Sequence, residues 1–471
     1  MIVAGSIVGS GELIATTATG AEAGFWLMWI IIIGCVIKVF VQVEIGRYVI
    51  LTGRTALGGI SGLPGPKIAG THFIIWFWLL MIIASTGQMG GIVGGVGQAL
   101  SIAAPLTEEG AAFNKAAEEQ VLAKLAHSLE EADPASAGPI AEALPDSGPD
   151  VFIWALAVSI FTAVVLFLGR YGAIQTVVTG LVGAFTLITL INLVLLQMNP
   201  EWALGWADIK QGLSFKLPPP AEGINPVTTA LATFGIIGVG AGELIYYPYW
   251  CLEKGYAAFI GPRRDSEEWV LRAKGWLRVL KWDAWCSMVV YTFSTIIFYI
   301  LGATILHRAN LHPQGMEIIR TLAAMYEPVF GQWAVGLFLV GSVLVLYSTF
   351  FVANASKGRV FADAMIVFGW RKSNPKTNLL WVKWLCFAFP LIGLFFFMLY
   401  PKPKELVLLS GAIQSFMLPM LGFAAIYFRY KYAQSTLPPS RLWDAFLWLS
   451  ALGLLIAGAW LAWSILAPLA S

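Results

Sequence analysis

The chain has 471 residues, of which 58% are hydrophobic and 12% charged, with a formal net charge of +2. Water-soluble domains carry roughly 25% charged residues, so this composition, with a mean hydropathy of +0.75, excludes a soluble fold. The near-neutral balance gives no reason to expect a nucleic-acid partner.

Apolar runs near the ~20 residues that cross a bilayer core recur along the whole chain. They predict eleven membrane helices, at about 2–20, 25–50, 73–104, 151–168, 172–197, 227–250, 283–306, 332–354, 379–400, 405–428 and 442–468. Trp and Tyr gather near many of their ends, among them Trp26, Trp29, Trp76, Trp333, Trp381 and Tyr400, as side chains with an apolar body and a polar edge do at a membrane interface. The first predicted half-helix is short. Met1 stands eight residues before Gly9, a rise of about 12 Å at 1.5 Å per residue, so a preceding segment is expected in the natural protein.

Lys and Arg set the orientation. With a cytoplasmic N-terminus, the inner loops hold most of them: Arg47, Arg54 and Lys67; Arg170; Lys254 through Lys281; Lys357, Arg359, Arg371, Lys372 and Lys376; and Arg429, Lys431 and Arg441. The outer loops hold fewer, including Lys115, Lys124, Lys210, Arg308, Lys402 and Lys404. This asymmetry predicts the N-terminus inside and the C-terminus outside, most simply in a plasma (inner) membrane. The segment at about 105–150 is then an acidic extracytoplasmic insertion (Glu108, Glu109, Glu118, Glu119, Glu130, Glu131, Asp133, Glu142, Asp146 and Asp150), and Ala111–Leu129 in it suits a short polar helix. The bland reading is a solvated insertion; attraction of cations toward the mouth is the sharper one. The four cysteines (Cys35, Cys251, Cys286, Cys386) lie in or beside apolar segments without paired spacing, and read as small hydrophobes.

One hexapeptide occurs twice. Gly-Ser-Gly-Glu-Leu-Ile at Gly9–Ile14 returns as Gly-Ala-Gly-Glu-Leu-Ile at Gly240–Ile245, five predicted helices later. An odd number of spans between two copies inverts one relative to the other, which is the mark of an inverted-topology repeat. The 471 residues thus read as one transporter domain, with a first repeat at about 2–197, a second at about 227–428 and an extra helix at about 442–468. Paired glycines (Gly9 and Gly11; Gly240 and Gly242) disfavour helix and predict that helices 1 and 6 are unwound at mid-membrane. Small residues also serve simple helix packing, but an acid inside an apolar span is costly and generally functional. Glu12 and Glu243 are therefore expected to face each other, titrate as a coupled pair and offer hard oxygen ligands to a divalent cation.

Lesser candidates surround them. Thr16 lies one turn after Glu12 and either lines the site or bonds back to its own helix. Gln414 could lend an amide oxygen. Gln88 sits among glycines suited to close packing, and Lys38 is either a buried counter-charge or a structural partner. Tyr246 and Tyr247 read more simply as packing aromatics.

At this point the chain resembles the Nramp (natural resistance-associated macrophage protein) divalent metal transporters, in particular a divergent Nramp-related branch. The likeness runs through Gly9–Trp29, Phe234–Trp250, Tyr347–Asp363 and Leu406–Met420. It implies a LeuT-type bundle of five-plus-five inverted helices, alternating access and a metal ion as substrate. The family's metal-binding Asp falls on Gly9 and its Asn on Glu12. An ungapped match puts its Met on Gly242, its Pro on Glu243 and its tenth-span Gln on Met417, so no thioether ligand is evident. The chain lacks the family's third-span acids, having Gln88 and glycines there. An all-oxygen site favours Mg²⁺ or Mn²⁺ over softer transition metals. The alternative keeps the fold but carries an organic cation, an amine or a proton-coupled solute. A membrane enzyme or receptor-like binder is disfavoured, because no nucleophile, His cluster or nucleotide loop supports it, and no resident cofactor is expected.

Overall fold

The computed structural model describes residues 8–129, 144, 147–169, 172–219, 225–264, 266–432, 437 and 440–470. The start of the first predicted helix, Arg170, and much of the acidic insertion, including Glu130, Glu131, Asp133, Glu142 and Asp146, lie outside the described residues.

The chain is almost wholly helical, and the helices form where apolar runs permit them. A π-helical turn at Gly11–Thr16 runs into an α-helix at Thr17–Ala23 (together α1). α2 (Met28–Thr52) ends at Gly53, whose φ of 69° gives the left-handed stop that glycine adopts without strain. After a short helix α3 (Ala56–Ser61) and a two-stranded hairpin (Lys67–Ile68 antiparallel to Thr71–His72) come α4 (Phe73–Ala103), the polar α5 (Glu108–Leu129), α6 (Asp150–Leu168), α7 (Gly172–Leu196) and the short α8 (Trp206–Gly212). The second half holds α9 (Pro226–Ile236), α10 (Ala241–Glu253), α11 (Tyr256–Ile260), α12 (Glu267–Leu301, continued by a π turn at Gly302–Leu306), α13 (Ile318–Ala323), α14 (Glu327–Phe330), α15 (Ala334–Val367), α16 (Pro375–Leu399), α17 (Pro403–Lys431) and α18 (Arg441–Ala470). Starts carry capping chemistry: Asn225 accepts from the Thr228 amide at 3.1 Å with Pro226 at the first helical position, and Ser266 caps Trp269.

Among the described residues, nine helical segments are long and apolar enough to span a membrane, with α9–α10 counted as one interrupted segment. A shorter apolar stretch lies at Gly180–Leu196, and α1 covers Gly11–Ala23; eleven helices were expected. This is an integral membrane protein.

Two boundaries differ from expectation with consequences for the site. The helix expected at 283–306 begins sixteen residues earlier, at Glu267, so Lys274, Arg278 and Lys281 ride a helix rather than a loop. The helix expected at 332–354 continues to Val367, which places Lys357, expected in a loop, on a helix and fully buried. Hydropathy ends a span at the first charges, but a helix continues while its backbone bonds are made. Lys404, also expected in a loop, is buried in the first turn of α17 and pairs with Glu22 at 2.7 Å.

Glycine lets the central helices touch. A methyl on Gly91 would stand 2.6 Å from the Pro403 carbonyl oxygen, so α4 meets α17 backbone to backbone. Gly235 of α9 would likewise collide with the Gly411 carbonyl of α17. These contacts carry α4, α9 and α17 to the point where α1 and α10 begin.

Candidate functional site

Each hexapeptide copy opens a helix. In α10 the N-cap is Gly240, in extended conformation, and Glu243 stands third from the helix start. In α1 the Leu13 amide bonds to the Gly9 carbonyl at 2.9 Å, and Glu12 Oε2 reaches back to accept the Gly9 amide at 2.9 Å. A glutamate three residues after the N-cap folding over that cap's amide is one half of a capping box. Glu243 does the corresponding thing at Gly240. Its Oε2 lies so close that a methyl on Gly240 would stand 2.6 Å from it.

The actual interruption of the second copy precedes the motif. α9 stops at Ile236, and Ile237 to Gly240 link it to α10. Gly238 there has φ +62°, and a methyl on it would sit 2.6 Å from the Tyr291 ring. Only glycine satisfies both conditions. Its amide donates to Glu12 Oε1 at 3.2 Å, and Thr295 of α12 donates to the same oxygen at 3.4 Å. Glu12, 3% exposed, therefore holds an amide of each break with one carboxylate. In α1 the distortion is the π turn itself, which starts at Gly11 within the motif; what precedes Val8 lies outside the described residues.

A neutral polar chain joins the same two breaks from the other side. The Gln88 amide donates to Ser10 Oγ at 3.2 Å, and its oxygen accepts from Ser410 at 3.0 Å and from Gln414 Nε2 at 3.1 Å. Gln414 Oε1 accepts the Gly242 amide at 3.0 Å. Gln414 thus stands between the two breaks, with its oxygen turned to the start of α10. Thr16 is buried and donates to the Gly11 carbonyl at 2.9 Å, bonding back to its own helix. Gly9 and Gly11 leave room for Thr349 of α15 and for the Ile236 carbonyl, respectively. The Tyr247 hydroxyl donates to Asp283, away from the motifs, at 3.0 Å.

Two lysines complete the site. Lys38 of α2, fully buried, donates to the carbonyls of Phe234 and of Ile237, the latter at 2.9 Å, at the C-terminal end of α9. Its charge acts on both Glu12 and Glu243. Lys357 of α15, fully buried, donates to the Ser85 carbonyl of α4 at 2.6 Å, and Glu243 is its charged neighbour. Two buried lysines, each bonded to backbone carbonyls, thus lie near the two buried glutamates. Sequence reading missed Lys357 and Gly238. The signal for Lys357 was the unbroken helix-compatible run from Phe350 to Val367, which has no Pro and only Gly358 as a weak breaker. Among the described residues no group of three or more His, Cys, Asp or Glu could hold a metal ion, so any metal would rely on the carboxylate pair plus backbone carbonyls.

Three comparisons bear on this arrangement. The model of the family described as natural resistance-associated macrophage protein-like matches residues 132–464. No curated protein matches the sequence significantly. Among solved structures, a mutant of the Eremococcus coleocola manganese transporter superposes with a TM-score of 0.59 at 15% identity, covering 97% of this chain and 84% of that one. The same transporter in complex with an aromatic bis-isothiourea substituted compound gives 0.60 at 14% identity over the same shares. At such identity the likeness is one of fold: the LeuT-type bundle.

Proposed function

This chain belongs to the natural resistance-associated macrophage protein-like family of transporters, and on that premise we propose that it moves a hard divalent cation, Mg²⁺ or Mn²⁺ in character, by alternating access. Glu12 and Glu243 are its ligands, and the plasma membrane, with the N-terminus inside, is its place. The observation that carries the reading is that one buried carboxylate, Glu12, bridges the Gly9 and Gly238 amides. A ligand that pulls Glu12 toward itself releases both breaks at once, which couples occupancy to movement of the half-helices. Hard oxygens without sulfur favour a cation that keeps part of its water. The neighbouring manganese transporter's cargo supports the class of substrate rather than its identity.

Lys38 and Lys357 favour a second reading. A site that already seats a lysine side chain on its α9 carbonyls suits an amine-bearing solute that enters by replacing one ammonium with another. Calorimetric titration of the purified protein with Mg²⁺, Mn²⁺ and Ca²⁺, beside the Glu12→Gln/Glu243→Gln double variant, separates the two. Divalent binding that disappears in the variant supports the first reading. No divalent binding to the wild type moves the assignment to the second.

A further inference from the structure

The last four carbonyls of a helix have no partner within it. In α9 these oxygens end inside the protein, beside the two glycine motifs. The Gly235 carbonyl faces Gly240, and the Ile236 carbonyl faces Gly11; a methyl on either glycine would stand 3.1 Å from the oxygen. The carbonyl end of a half-helix, with its partial negative charge, is where a cation is most stable. That position is taken by Lys38 Nζ, on the Phe234 and Ile237 carbonyls.

An ordinary lysine cap belongs to the same helix or to a wet surface and keeps its ammonium in water. Lys38 does neither. It comes from α2, far away in sequence, is fully buried, and lies over the Phe234 ring at 4.8 Å. It also shares the field of both glutamates.

Deepening the transport reading, and resting on it for the cargo's class, we propose that the Lys38 ammonium is a tethered stand-in for the transported cation: it occupies the cargo's place on the α9 carbonyls in the empty carrier and must leave them when the cargo binds. The empty site then keeps a cation on those carbonyls, and the carrier returns without a counter-ion. Lys38 is a specificity-determining residue in this scheme, because a cation too weakly bound to displace an ammonium is rejected. The four-carbon stem lets it withdraw without leaving the site.

The test is chemical replacement of the missing ammonium. The full chain, purified as wild type, Lys38→Met, Lys38→Gln and Lys38→Arg, is melted with added MgCl2, MnCl2, NaCl or methylammonium chloride. Lys38→Met and Lys38→Gln are expected to melt lower than wild type without cation and to recover as a small cation is added, half-saturating at a concentration at least tenfold below any wild-type response. Lys38→Arg, which keeps the charge, is expected to show no such recovery. Recovery with methylammonium or Na⁺ alone supports the stand-in and sinks the divalent cargo. Recovery with Mg²⁺ or Mn²⁺ supports both. If Lys38→Met can be purified only with a cation present, that dependence also supports it. Indifference of Lys38→Gln to every cation, with Lys38→Met equally indifferent or unrecoverable in all of them, overturns the proposal even if the wild type binds metal.

Discussion

Replacing Glu12 by Gln tests whether this side chain holds the two breaks together. The carboxylate accepts from the Gly9 amide at 2.9 Å through one oxygen and from the Gly238 amide at 3.2 Å through the other. A glutamine has one acceptor oxygen and one NH2 group. Whichever way it turns, one buried amide loses its partner and meets another donor instead. A hydrogen bond to a charged acceptor contributes about 1.5–3 kcal/mol, and a buried donor left unmade costs about 1–3 kcal/mol. Glutamine retains the first bond only as a neutral one. The expected loss is therefore about 2–4 kcal/mol, together with the loss of divalent binding. Isosteric volume excludes a cavity as the cause. Unfolding of the purified variant in mixed detergent, followed by tryptophan fluorescence, reads it directly. Hydrogen exchange at Gly238 should rise in parallel. A variant with the wild-type unfolding midpoint and an equally protected Gly238 would refute the bridging role.

Four further outcomes are expected. Gly238→Ala meets both a positive φ and the Tyr291 ring, so it should destabilise by roughly 2–3 kcal/mol and slow transport in a proteoliposome uptake assay; wild-type rates would show that the turn can relax. Lys404→Gln leaves the Glu22 side chain, 5% exposed, without its partner at the C-terminal end of α1; breaking such a pair costs about 3–5 kcal/mol and should loosen that end, so a cysteine at Ser10 (on a background without the native cysteines) should react faster with a soluble thiol reagent. Gln88→Ala removes the acceptor shared by Ser410 and Gln414 and should weaken ligand binding tenfold or more in titration, whereas Thr349→Ser, which keeps the hydroxyl beside Gly9, should change it little. In the loop after α12, burial holds the His312 imidazole below its usual range, so the folded state favours the neutral ring. Its contribution is complete above that usual range and is lost as the pH falls through the lowered value. With the slower intrinsic exchange at lower pH divided out, amide protection around 307–317 should therefore fall on acidification and lose that dependence in His312→Gln.

The membrane class and the helical character were legible because each depends on local composition. Glu12 and Glu243 stood out for the same reason, as acids in apolar spans. The partner of each polar group was not. Gln414 could be placed near the site by its span, yet only the packed helices show its oxygen on the Gly242 amide. Thr16 had two readings, and the geometry shows its hydroxyl on the Gly11 carbonyl. Lys357 read as a loop cation because charge was taken to end a helix; its burial follows from α4 and α15 meeting at Ser85.

By itself the sequence determined that this protein crosses a membrane, that one hexapeptide recurs in it, and that each copy sets a glutamate close behind a pair of glycines. These follow from transfer energies and backbone propensities, which are properties of neighbours in the chain. Only the tertiary structure decided that Lys38 takes the carbonyls of Phe234 and Ile237, with 196 residues separating Lys38 from Phe234. It also decided that Glu12 bridges both breaks and that Lys38 and Lys357 are buried near the two glutamates. Those outcomes depend on which unsatisfied groups the packing brings within hydrogen-bond reach, and no local pattern encodes that distance.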